Sequence, residues 1–190
     1  AVESLMQARL LSETLCTRAA GAEGPARFMI RTLLDQADLA LRSGDLNRAR
    51  EAADTARSRA ESLAETHQSA PWLAETASCW DRLGEVARAT KASAQMQDAF
   101  ARAVELRRMA RDRDPENPAL MRGIAGALVK LGEAALDAGA AQSARAAFHE
   151  SASLRLHLAD TAPHDRRAAY ALAVSLERLG LAALSCGDRN

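Results

Sequence analysis

Apolar side chains recur along this chain at alternating steps of three and four residues. Leu33, Ala37 and Ala40 form one such series, Trp80, Leu83 and Ala87 a second, Leu128, Leu131 and Ala135 a third, and Leu176, Leu179 and Ala183 a fourth. That spacing follows one face of an α-helix, and strand-forming residues are scarce, so helix is the only periodic structure predicted. The pattern places helices at about residues 3–20, 26–43, 45–67, 71–90, 93–113, 118–138, 141–160 and 165–186. The joints carry matching punctuation. Ser43-Gly44-Asp45 supplies a left-handed stop followed by an N-cap, Ala138-Gly139 a similar stop, and Asp114-Pro115-Glu116-Asn117-Pro118 ends one helix and starts the next, with Asn117 as cap and Pro118 at the first helical position.

The series are copies of one another. A 48-residue offset brings Trp80-Asp81-Arg82-Leu83-Gly84-Glu85-Val86-Ala87 onto Leu128-Val129-Lys130-Leu131-Gly132-Glu133-Ala134-Ala135, and then onto Leu176-Glu177-Arg178-Leu179-Gly180-Leu181-Ala182-Ala183. Phe100 falls on Phe148, Pro115 on Pro163 and Gly139 on Gly187 at the same offset. A weaker copy, Leu33 to Ala40, precedes the Trp80 copy by 47 residues, with Gln36 as its clear departure.

These residues resemble the tetratricopeptide repeat, whose pattern is W-x2-L-G-x2-Y, then A-x3-F, then P. Trp80, Leu83, Gly84 and Ala87 take the first four signature positions of one copy, with Phe100 at the later aromatic position and Met96 where alanine is usual. Leu128, Leu131, Gly132, Ala135, Ala144 and Phe148 do the same in the next, and Leu179 and Gly180 begin another. Leu33, Ala37, Ala40, Ala49 and Ala53 are the first copy's version. Small residues suit places where helices cross closely, while Leu or Phe fills the neighbouring gap. The family's repeat has 34 residues, and here each helix has gained seven. Seven residues are almost two α-helical turns, so the inward stripe keeps its side to within about 20°.

The expected fold is therefore all-α, a right-handed superhelical solenoid of antiparallel helix pairs with about eight helices. Its divisions are residues 1–22 as the second helix of a truncated preceding repeat, 26–70, 71–115 and 118–163 as whole repeats, and 165–190 as the first helix of a truncated fourth. Leu5 falls at the Phe148-equivalent place, and both ends look cut. The last helix, with Tyr170, Leu172, Val174, Leu176, Leu179, Leu181 and Leu184, carries more apolar surface than one neighbour covers. The intact protein is expected to be longer, or this end to pack on another chain.

Composition narrows the function. Lys+Arg and Asp+Glu are 25 each, so nothing draws the chain to a phosphate backbone or an anionic membrane, and neither nucleic acid nor membrane is an expected partner. No apolar run approaching the roughly 18 residues of a membrane span is evident, and the start AVESLMQARLL is unlike a signal peptide. Cys16, Cys79 and Cys186 are far apart and odd in number, which suits buried thiols in a reducing, cytoplasmic setting. His67, His149, His157 and His164 make no metal-binding spacing, and a solvated helix face accounts for His157 one turn from Asp160. Gly84, Gly123, Gly126, Gly132 and Gly139 lie inside or at the ends of helices and not after a strand, so no Gly-rich phosphate loop is expected. No catalytic residue, metal or cofactor is implied, and the chain is not expected to be an enzyme.

In the resembling family the first helix of each pair lines a concave wall, which implies a protein or peptide partner. Its residues here are Leu34 and Asp38; Asp81, Arg82, Glu85 and Arg88; Val129, Lys130, Glu133 and Leu136; and Glu177, Arg178, Leu181 and Leu184. Arg82, Lys130 and Arg178 share one phase and lie three residues before Glu85, Glu133 and Leu181. Either they pair within their own helices, or they form a basic ladder that grips a carboxylate. The stripe lacks the asparagines of the family's chaperone-tail clamp. Trp80 is assigned to packing and Trp72, just after Pro71, to a half-exposed place from which it could touch a partner. Bacterial arrays of this kind commonly lie within larger signalling proteins carrying NTPase, protease-like or kinase domains, and the resemblance implies a scaffold or sensor segment of such a protein. The alternatives are self-association through apolar solenoid ends and, further off, a helical small-ligand receptor.

Overall fold

The computed structural model describes residues 2–18 and 23–187. The described residues form eight α-helices and no strand: α1 Val2–Arg18, α2 Glu23–Ser43, α3 Leu46–His67, α4 Ala70–Ala89, α5 Ser93–Arg113, α6 Pro118–Asp137, α7 Ala141–Thr161 and α8 Arg166–Ser185. The side chains of Leu5 and Cys16, and residues 188–190, lie outside the described set.

The helix ends follow from their residues. Gly44 and Gly139 have φ of +78° and +74°, a left-handed region that costs glycine nothing, and each closes a helix. Asp45 then caps α3 by accepting from the Arg48 amide at 3.1 Å. Asn117 caps α6 by accepting from the Ala119 amide at 3.0 Å, while its own side-chain amide donates to Asp114 at 2.8 Å. Such caps stabilise a helix by about 1 kcal/mol each. Asp165 does the same for α8 through the Arg167 amide.

Each helix packs on the next in sequence, and α2, α4, α6 and α8 also touch in turn. Among the described residues the second helices make no such close backbone approach, and long side chains link them, Arg50 to Gln95 and Arg108 to Glu150. An array in which one set of helices is closer together than the other bends with the closer set inside. The all-α solenoid expected from the sequence is thus the observed fold, and α2, α4, α6 and α8 form its inner wall.

Two of the signature glycines explain how the helices of a pair come so close. A methyl at Gly84 would lie 2.7 Å from Cζ of Phe100 on α5, and one at Gly132 would lie 2.6 Å from Cε1 of Phe148 on α7. Both rings are fully buried, so neither has room to retreat. Alanines pack around these crossings: Ala87 and Ala134 cluster with Phe100, and Ala135, Ala144 and Ala182 with Phe148. Their short side chains and high helix propensity serve helix formation and close approach together. Gln36, the departure in the first copy, is buried as well.

One polar link crosses the core between α6, α7 and α8. Ser151 donates to the Ala125 carbonyl at 2.9 Å, and its oxygen lies 2.9 Å from that of Ser175, both serines being wholly buried. Since Ser151 has one hydroxyl hydrogen, Ser175 is the donor of the second bond.

The structure corrects the sequence expectation for Trp72, while Trp80 packs against the core as expected. Trp72 has 0% exposure and is enclosed between His67, stacked at 5.9 Å, and Arg27, 5.0 Å above its ring. Trp80 is only partly buried, with Arg57 over its ring at 5.3 Å and its indole N–H donated to Glu61 at 3.1 Å. Eight residues turn a helix about 80° past two full turns. Trp72 therefore points into the interface with α3 and α2 when Trp80 points to its rim.

Candidate functional site

The inner wall is built from facing charges on successive first helices. Arg82 of α4 pairs with Asp38 of α2. Lys130 of α6 stands 3.3 Å from Glu85 and 3.9 Å from Asp81 of α4, and Arg178 of α8 stands 3.5 Å from Glu133 of α6. Arg88 bridges both ways, 3.5 Å from Glu85 on its own helix and 3.5 Å from Glu133 on α6. All these side chains are partly exposed, so each pair contributes about 0.2–1 kcal/mol, less in salt. Arg88 and Lys130 also rest on the Phe100 ring, at 5.3 and 5.7 Å.

The three same-phase cations therefore pair between helices. Pairing within a helix, as Arg82 with Glu85 or Lys130 with Glu133, does not occur, and neither does a free basic ladder. The reason lies in the repeat. A closely spaced inner wall brings a residue of one first helix opposite the residue about 45 positions earlier, which is an acid each time: Asp38, Glu85 and Glu133.

The other wall residues divide by position. Leu34 packs partly against the core, and Val129 and Leu136 pack against the Phe148 cluster. Glu177, Leu181 and Leu184 are exposed. Asp81 faces inward instead, accepting from Arg107 of α5 at 2.5 Å. Its acid does not recur at the repeat spacing, where Val129 stands, and Arg107 was not among the expected site residues. At the α6–α7–α8 end, Arg122, Arg155 and Arg167 line a cavity of about 700 Å³. Another, of about 520 Å³ between α3, α4 and α5, mixes Glu61 and Glu65 with Arg102 and Arg113.

The nucleophile and metal candidates are placed as follows. Cys79 is buried, and burial, with Glu75 and Glu61 nearby, pushes its thiol up to about 12, so it carries no thiolate at neutral pH. Cys186 is partly buried. His149, His157 and His164 stand exposed on helix or turn surfaces, while His67 stacks on Trp72 with Glu23 at 3.6 Å. Among the described residues no three His, Cys, Asp or Glu side chains come together as a metal site would need.

The far end of the array is open. Leu176 of α8 occupies the place that Leu128 holds in α6, yet it is 52% exposed where Leu128 is 2% exposed. Gly180 meets nothing within 4 Å at the place where Gly132 meets Phe148. Tyr170, Leu181 and Leu184 are exposed beside them. One consequence corrects the composition reading. By length and composition alone α8 is apolar enough to cross a membrane, with mean hydropathy 1.3. Glu177 and Arg178 lie midway along it, however, where a bilayer would oppose them. The helix has the composition of a core helix, and only part of that surface is covered.

No family model matches the chain, and no curated protein matches it in sequence. Among solved structures the chain is similar in fold to the crystal structure of BtubC (BKLC) from P. vanneervenii, with a TM-score of 0.54 and 15% identity over 98% of this chain and 83% of that one. At that identity the likeness is one of fold, and it spans the whole helical array.

Proposed function

We propose that the chain is a tetratricopeptide-like scaffold module whose inner wall binds a protein or peptide, and that it performs no catalysis. The observation that carries this reading is the wall itself. Four parallel helices present a continuous strip in which acids and bases alternate from Asp38 to Arg178, flanked by exposed Leu181 and Leu184. An extended strip of paired, partly exposed charges suits an elongated polypeptide, which exchanges partners with the ladder along its length. Solenoids of many functions share this shape, so the reading rests on the surface and not on the fold.

Peptide display on the immobilised chain tests it. The expected outcome is a family of enriched peptides whose affinity falls at least tenfold when Lys130 and Arg178 are both changed to Glu, with the melting curve still cooperative. Absence of enrichment, or peptides indifferent to the double change, overturns the proposal.

A second reading is favoured by the open end. Leu176, Leu184 and Gly180 form a face shaped like the one that α7 covers on α6, and α1 exposes Leu10 and Leu11. A second copy placing its α1 on α8 would complete one helix pair across two chains, a head-to-tail contact that continues into rods. Light scattering over a concentration series tests this, and a mass that stays monomeric throughout rejects it.

A further inference from the structure

Repeat equivalence exposes one cation that has lost its counter-ion. Arg107 of α5 and Arg155 of α7 occupy the same place, 48 residues apart. Arg107 runs between α4 and α6, its side chain 12% exposed. It donates to Asp81 at 2.5 Å and passes 3.3 Å from where a Gly123 methyl would stand. Arg155 takes the equivalent course between α6 and α8, donating to the Ala171 carbonyl at 2.5 Å, and Ala171 is the repeat equivalent of Gly123. The equivalent of Asp81, however, is Val129. A guanidinium offers five N–H donors in a fork suited to a carboxylate, and here one carbonyl engages it.

The cavity of about 700 Å³ opens at this point. Arg122 of α6 and Arg167 of α8 join Arg155 around it, over an apolar floor of Leu158 and Pro118. The acid that lines it, Asp165, is engaged in capping α8. Burial also lowers the Arg155 pKa, so an arriving anion would relieve a charge held away from water. Ala171 lies two turns before Arg178 on the same face of α8. The offset is about 10 Å along the helix axis, so a polypeptide held at Arg178 reaches the cavity within about three extended residues.

From this geometry we infer that the α6–α7–α8 cavity is the acid-recognition subsite of the wall, taking a glutamate or aspartate side chain of the bound polypeptide onto Arg155 as Asp81 is taken by Arg107. The inference rests on the proposed binding function and names the class of partner, an acidic polypeptide segment. A carboxylate side chain is favoured over a free phosphate because the equivalent site in the same chain holds a carboxylate.

Fluorescence anisotropy with a labelled, end-blocked hexaglutamate peptide and its hexaglutamine counterpart tests this. The glutamate peptide should bind and the glutamine peptide should bind at least tenfold more weakly. Arg155→Met should cost the glutamate peptide about tenfold, one lost charge-assisted pair of hydrogen bonds. Val129→Asp supplies an internal partner like Asp81 in exchange for an apolar contact with the Phe148 cluster, and should weaken the peptide similarly while unfolding stays cooperative. Glutamate-peptide binding untouched by both changes overturns the cavity assignment and leaves the wall reading standing. Display-selected peptides that bind the wall with no affinity for hexaglutamate overturn the acidic class alone, and equal displacement by millimolar inorganic phosphate overturns the polypeptide as ligand.

Discussion

Arg82 and Asp38 pair across the gap between α4 and α2, so the inner wall is cross-braced from one repeat to the next. The same brace recurs as Lys130 with Glu85 and Arg178 with Glu133. A salt-sensitive contribution follows. Arg82→Met should lower stability by about 0.2–1 kcal/mol at low ionic strength and by less in 1 M NaCl. The charge-swapped double variant Asp38→Arg with Arg82→Asp should recover most of the loss in urea unfolding, and a swap no better than the single change would show that the pair is not formed.

Cys79 gives the pH dependence a sign. Its thiol rises from 9.0 to about 12 on burial, so the unfolded chain releases this proton first as pH increases. The folded state's advantage is intact below pH 9 and falls by up to about 1.4 kcal/mol per unit between 9 and 12. Cys79→Ala should flatten that decline. In the native protein at pH 7.5, a maleimide should modify Cys186 well before Cys79, and equal rates would contradict the buried placement.

Leu128 and Leu176 share a repeat position and differ in surroundings. Leu128→Ala should cost about 2–5 kcal/mol, the range for a leucine lost from a packed core, whereas Leu176→Ala should cost under about 1 kcal/mol in the monomer. Chemical denaturation of both variants at low protein concentration checks the difference.

The helix borders, the caps at Asp45 and Asn117, and the Gly-to-Phe crossings were legible because each depends on local spacing or on a motif that repeats in register. What escaped was set between helices. Trp72 and Trp80 differ by about 80° around α4, and only the placement of α3 and α2 shows which direction is core. The ladder cations have acids three residues away in their own helices for Arg82 and Lys130, yet the curvature of the array offers better ones about 45 residues back. Arg155 was invisible for a related reason. Its meaning lies in the change from Asp81 to Val129, a comparison that needs the Arg107 bridge to be seen first.

The most direct measurement of the repeat account compares three identical substitutions. Gly84→Ala and Gly132→Ala each drive a methyl into a buried phenylalanine ring and should lower stability by about 1–3 kcal/mol. Gly180→Ala meets open space on a helix, where alanine is favoured over glycine, and should raise stability by up to about 1 kcal/mol in the monomer. Urea unfolding of the three variants should give two losses and one gain. Three equal losses, or a Gly132→Ala variant as stable as the wild type, would contradict the stacked-repeat packing on which the wall, its ladder and its arginine cavity all depend.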